Sequence, residues 1–146
     1  MNLFVAVSGD GAQRAMTSSN GQNWTARSTP LNPYYSVTWS PELSLLVAVG
    51  GGNAMTSPDG INWTERTVPQ ISTWTRVTWS ATKGIFMAVG NTGTNHVMTS
   101  PDGINWTLQP NVIPDAIPLS YVEWVDAKSK FIATGNNGAI INGVLV

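Results

Sequence analysis

The sequence has no cysteine, a single histidine and few charges of either sign. Without cysteine there are no disulfides, thiolate metal sites or cysteine nucleophiles, and the compartment is left open. Seven Lys and Arg against eight Asp and Glu leave a net charge of −1, with 10% of residues charged. No basic field exists to hold nucleic acid or an anionic membrane. His96 stands alone with few carboxylates, so a metal site would lack ligands. It reads as a polar loop residue in Thr92-Gly-Thr-Asn-His96. No apolar run approaches the ~20 residues of a membrane span. Met1-Asn-Leu-Phe-Val-Ala-Val7 lacks the basic flank and cleavage site of a signal peptide and reads as a strand. No Ser/His/Asp spacing or phosphate-binding glycine motif is present, and Gly50-Gly51-Gly52 reads as a flexible connection between strands. No cofactor is expected.

What the chain does have is repetition. Met98-Thr-Ser-Pro-Asp-Gly-Ile-Asn-Trp-Thr107 recurs as Met55-Thr-Ser-Pro-Asp-Gly-Ile-Asn-Trp-Thr64, and more loosely as Met16-Thr-Ser-Ser-Asn-Gly-Gln-Asn-Trp-Thr25. The string has the chemistry of a β-hairpin. Proline presets φ, aspartate can bond the backbone ahead of it, and glycine accepts positive φ. Trp24, Trp63 and Trp106, each three residues after the glycine, are placed to fold under the turn.

Aligning the repeats gives four strand types, A to D. Type B is apolar on both faces: Leu3–Val7, Leu45–Val49, Ile85–Val89 and Lys130–Thr134. Such strands are covered on both sides. Ala6, Ala48, Ala88 and Ala133 share one register, 42, 40 and 45 residues apart, which marks a close approach of neighbouring sheets. Type A reads Val37-Thr-Trp-Ser40, Val77-Thr-Trp-Ser80 and Val122-Glu-Trp-Val125, with Val and Trp on one face. Trp39, Trp79 and Trp124 are therefore expected in the core. Types C and D flank the hairpin, and Arg27 and Arg66 continue type D as solvated surface, with Gln109 in the third copy. The Pro-punctuated stretch from Pro110 to Pro118 reads as an extended insertion. Asn142-Gly143 is a tight-turn signal that would set off Val144–Val146 as a short extra strand.

The expected class is all-β. A period near 40 with four strands per repeat predicts a β-propeller of about 3.5 blades, divided as 1–30, 31–70, 71–115 and 116–146. The first of these lacks its inner strand, and the last is also incomplete. A β-trefoil is the alternative, against which four copies of strand B count. Unpaired edges on the incomplete blades predict association with further chains, a two-fold ring requiring an even number of blades.

The pattern Ser-x-Asp-Gly-x-x-Trp resembles the Asp-box, or BNR-like, repeat of β-propellers. It is carried by Ser57, Asp59, Gly60 and Trp63, and by Ser100, Asp102, Gly103 and Trp106. Ser18, Gly21 and Trp24 repeat it with Asn20 in place of aspartate. The resemblance implies a structural hairpin between the third and fourth strands of each blade. The family includes sialidases, whose sites need an arginine triad, a Tyr–Glu pair and an acid. Of Arg14, Arg27, Arg66 and Arg76, only Arg76 precedes a type A strand, and no acidic cluster joins it, so no enzyme is expected. Tyr34, Tyr35, Trp74 and Tyr121 also precede type A strands. With Arg76 they are the candidate ligand-binding residues, able to stack on sugars or anchor a protein; the competing expectation is that the aromatics fill wedges between blades. The repeats further resemble those of bacteriophage tail and virion-associated propellers. This implies a virion component in host attachment, structure or decoration, with other virion proteins, further copies or a glycan as partners. A stand-alone lectin is the alternative.

Overall fold

The computed structural model describes residues 2–110 and 117–135, and the backbone of 140–144. The core of the Pro-punctuated insertion, residues 111–116, lies outside the described residues, as do 136–139 and 145–146. Four antiparallel sheets follow one another along the chain. The first contains β1 (Phe4–Val7), β2 (Ala15–Ser18) and β3 (Thr25–Arg27). The second runs β4 (Tyr34–Ser40), β5 (Leu45–Gly50), β6 (Ala54–Ser57) and β7 (Thr64–Arg66). The third repeats it as β8 (Trp74–Ser80), β9 (Ile85–Gly90), β10 (Val97–Ser100) and β11 (Thr107–Leu108). The fourth contains β12 (Leu119–Val125), β13 (Lys130–Gly135) and β14 (Ile140–Val144). Each strand pairs with its sequence neighbour. A trefoil would need strands shared between repeats, so separate consecutive sheets rule it out.

The sheets pack face to face, and strand B of the second and third sheets is buried from both sides. Val47 and Val49 face the third sheet, packing with Trp74, Val77, Phe86, Ala88, Met98 and Trp106. Ala48 points the other way and meets Ala15 and Tyr34 at the boundary with the first sheet. In the third sheet, Phe86 and Ala88 face back while Met87 and Val89 face forward onto Val122, Trp124 and Phe131. Strict alternation along one strand thus builds two interfaces at once. Full burial of one such side chain contributes about 1.5–3 kcal/mol. The inner strands are also tied to each other. Val77 N–H donates to Ser36 Oγ at 3.1 Å, and Thr75 Oγ1 donates to the Leu119 carbonyl at 3.1 Å.

Glycine closes the B strands of the second, third and fourth sheets for a spatial reason. A β-carbon at Gly50 would fall 1.8 Å from the Pro33 carbonyl oxygen, and one at Gly135 would fall 2.4 Å from that of Pro118. The segment that leads into strand A of the same sheet crosses there. The neighbouring Gly51-Gly52 is not a slack connection: Gly51 bridges Thr73, and Gly52 N–H donates to the Ser72 carbonyl at 2.8 Å.

One further expectation is corrected. Asn142-Gly143 does not turn the chain. It lies inside β14, where a register shift between Phe131 and Ile132 absorbs it, Phe131 pairing with Val144 and Ile132 with Asn142. A glycine inside a strand often marks such an irregularity. His96 is the loop residue the sequence suggested, ahead of β10; it is buried there, and its carbonyl accepts the Gly90 N–H at 3.0 Å.

Candidate functional site

The recurrent Ser-x-Asp-Gly-x-x-Trp string forms the β2–β3, β6–β7 and β10–β11 hairpins, and its polar side chains are spent on the turn itself. Ser57 Oγ accepts the Gly60 N–H at 2.8 Å and donates to Asp59 Oδ1 at 3.0 Å. That same Oδ1 accepts the N–H groups of Ile61 and Asn62, each at 2.8 Å, while Oδ2 accepts Asn62 Nδ2–H at 2.7 Å. Trp63 folds under and donates Nε1–H to the Gly60 carbonyl at 3.0 Å. Ser100, Asp102, Gly103 and Trp106 repeat the set. In the first copy Asn20 Oδ1 takes the two backbone N–H groups of Gln22 and Asn23, Gly21 N–H reaches Ser18 Oγ, and Trp24 reaches the Gly21 carbonyl. The bonds from Asn62, first its backbone N–H, hold the Asp59 carboxyl far below the usual carboxylate range. At Asp102 partial burial opposes, but the bonds from Asn105 and Ile104 still bring it to about 2. These carboxylates are ionised acceptors at neutral pH with their lone pairs engaged. They are scaffold, not acid or base.

Each turn glycine has positive φ, and two of them also touch the preceding sheet. At Gly103, with φ 73°, a β-carbon would stand 2.7 Å from Val47 Cγ2. At Gly60 the neighbours are Leu3 and Val5 of the first sheet. Behind the turns a second ladder locks strand D onto strand C. Arg27 Nε donates to Thr17 Oγ1, Arg66 Nε to Thr56 Oγ1 and Gln109 Nε2 to Thr99 Oγ1, at 2.9, 3.0 and 2.9 Å. The two arginines are therefore half-buried braces and not the free surface cations the sequence suggested.

The five candidate ligand residues separate. Strand A begins earlier than its Val-Thr-Trp core, so Tyr34 and Trp74 are its first residues and not loop residues. Both are fully buried: Tyr34 against Ala15, Ala48 and Met55, and Trp74 among Val47, Val49 and Phe86. They fill the wedges between sheets and present no surface to a ligand. Burial pushes the Tyr34 phenol up to about 12, with the Asn32 side chain opposing. Tyr35 is exposed and lies over Gly9. Of the type A tryptophans, Trp124 is buried, while Trp39 and Trp79 are half-buried.

Arg76 and Tyr121 do come together, across the inner strands β8 and β12. The guanidinium carbon sits 4.7 Å from the Tyr121 ring centroid, within cation–π range. A third residue completes the group. Tyr121 donates its O–H to Glu123 Oε2 at 2.7 Å, and Arg76 Nη2 lies 3.9 Å from the same oxygen. The bond to Glu123 raises the phenol above its ordinary value, with Arg76 pulling weakly the other way. Tyr121 keeps 41% of its surface exposed. Glu123 was missed in the sequence, although one signal marked it: a carboxylate occupies the register held by Thr38 and Thr78 in the sister strands. An aromatic ring covered on one face by a cation and held at its hydroxyl by a carboxylate can stack on a ring with its other face and hydrogen-bond the substituents of that ring.

The family model of the DUF6242 beta propeller domain matches residues 1–143. The chain belongs to this family. No curated protein matches the sequence. Among solved structures, the propeller is similar to the GH74 enzyme of Niastella koreensis, with a TM-score of 0.61 at 16% identity. The match covers 96% of this chain and 22% of that one. At that identity the likeness shows the fold alone. Among the described residues, no helix is long and apolar enough to cross a membrane.

Proposed function

We propose that this propeller is a non-enzymatic binding module, a bacteriophage virion component acting in host attachment, which meets a surface glycan through Arg76, Tyr121 and Glu123. The observation that carries the reading is the half-open Tyr121 ring, backed by Arg76 on one side and fixed at its hydroxyl by Glu123. A sugar ring stacks on such a face, and its hydroxyls find both a donor and an acceptor at the edge. The virion setting rests on the likeness of the repeats to phage tail propellers, and the scaffold role of the turns rests on their likeness to Asp-boxes.

The same group speaks against hydrolysis. Tyr121 and Glu123 resemble the Tyr–Glu pair of a sialidase site, but of the arginine triad such a site needs, only Arg76 stands beside them. Glycoside hydrolysis ordinarily uses two carboxylates roughly 5–9.5 Å apart, and this cluster offers one. A glycan array with the 146-residue chain tests the proposal. Specific hits that disappear in Tyr121→Ala and weaken in Arg76→Ala support it. An array without hits, or hits indifferent to both substitutions, overturns it.

A further inference from the structure

The face of each sheet turned toward its predecessor is built from one set of positions, fixed by strand register. Phe4, Leu46 and Phe86 each pair with the serine of their own hairpin, Ser18, Ser57 and Ser100. Ala6, Ala48 and Ala88 each pair with a methionine, Met16, Met55 and Met98. In the second and third sheets these positions are core: Leu46 is 3% exposed, and Phe86, Met55 and Met98 are 0% exposed. In the first sheet the same positions lie open, with Phe4 56%, Met16 40% and Trp24 41% exposed. The turn glycines agree. Gly60 and Gly103 press on the sheet before them, whereas a β-carbon at Gly21 would touch only Phe4 of its own sheet.

At the other end, the fourth sheet turns a complementary face outward. Phe131 and Ala133 pack back onto the third sheet. Ile132 and Thr134 alternate with them and stand half-buried, in the strand B register of Val47 and Val49 and of Met87 and Val89. Val47 and Val49 cover Phe86, Ala88 and Met98 of the next sheet, and Met87 and Val89 cover Phe131 and Ala133 of theirs. The open face at the start and the outward face at the end are thus the two halves of an interface the chain already makes between its own sheets.

We propose that the Phe4–Ala6–Met16–Trp24 face docks a second copy of this chain, which presents Ile132 and Thr134 of its fourth sheet. Two copies joined head to tail make this contact twice and close one ring of eight sheets, at the upper end of the four to eight blades typical of propellers. Such a contact joins unlike faces, so only a rotation that closes the ring limits the assembly to two chains. β1 is the innermost described strand of the first sheet. The docked copy therefore covers β13 and leaves β12, with Tyr121, facing open space.

The test is mass in solution by light scattering, over a dilution series, on the full chain and two variants. Phe4→Asp spoils the first face and Ile132→Asp the second. Phe4 is exposed in the single chain, and circular dichroism verifies that both variants keep their strands. The expected results are twice the 15.6 kDa chain mass for the wild type, single chains for each variant, and dimers again when the two variants are mixed. The mixture retains one unspoiled contact between unlike faces. A monomeric wild type overturns the proposal, as does any other stoichiometry. An Ile132→Asp variant that still dimerises also overturns it, because two first faces would then be meeting each other.

Discussion

Val77 donates its backbone N–H to Ser36 Oγ across the boundary between the second and third sheets, at 3.1 Å and away from solvent. The bond joins two inner strands through a small hydroxyl on β4. Ser36→Ala leaves that N–H buried and unpaired, at a cost of about 1–3 kcal/mol. Urea denaturation should show the loss as a lower midpoint with an unchanged slope. A midpoint within error of the wild type would mean that the bond contributes nothing.

The turn glycines separate two costs that usually come together. Gly21→Ala should carry only the left-handed backbone penalty, about 1–2 kcal/mol. Gly103→Ala carries that penalty and also drives a methyl into Val47, adding about 1–3 kcal/mol for overpacking. Thermal unfolding of the two variants checks the order. Equal losses would show that the third turn does not bear on the second sheet.

Asp59 and Asp102 make stability depend on pH at the acid end. Their folded carboxyls titrate below the ordinary value of 3.8, Asp102 at about 2. Their contribution is complete above about pH 4 and is lost as pH falls through the folded values. Between pH 4 and pH 2 the wild type should weaken steadily, whereas the Asp59→Asn, Asp102→Asn double variant should start lower and fall less. Denaturant midpoints measured across that window test it, and parallel slopes for the two proteins would refute it.

At the alkaline end the sign reverses. Tyr34 is held neutral up to about 12 in the folded chain against an ordinary value of 10. Unfolded chains lose that proton first, so the stability Tyr34 provides declines as pH rises from about 10 through 12. Phenolate absorbance should rise late for Tyr34 and be delayed at Tyr121 too, by its bond to Glu123, and Tyr34→Phe should remove the step near pH 12. A step near pH 12 that survives in Tyr34→Phe would assign it elsewhere.

The sheets were legible in the sequence because each was written more than once. Ala48 and Ala88 gave the register, Pro58-Asp59-Gly60 gave the turn, and Val-x-Val alternation gave two buried faces. Strand A was read too short, since Tyr34 and Trp74 interrupt no pattern and their burial depends on a neighbouring sheet. Asn142-Gly143 was read as a turn because local chemistry favours one, yet pairing with Phe131 and Ile132 overrode it. The Arg76–Tyr121–Glu123 group was only half visible. Its members lie 45 and 47 residues apart, and contact between adjacent inner strands is set by packing, not by any local signal.

The hairpins that carry Ser57, Asp59 and Trp63 draw their bonds from residues two or three positions away. Such a unit can form before any partner arrives, since closing so short a loop takes about 10–100 ns. Each is then a ready seed onto which its own sheet, and only afterwards the next, can condense. A chain organised this way gains or loses whole repeats without redesign, because every newcomer brings both its nucleus and the surface its neighbour requires.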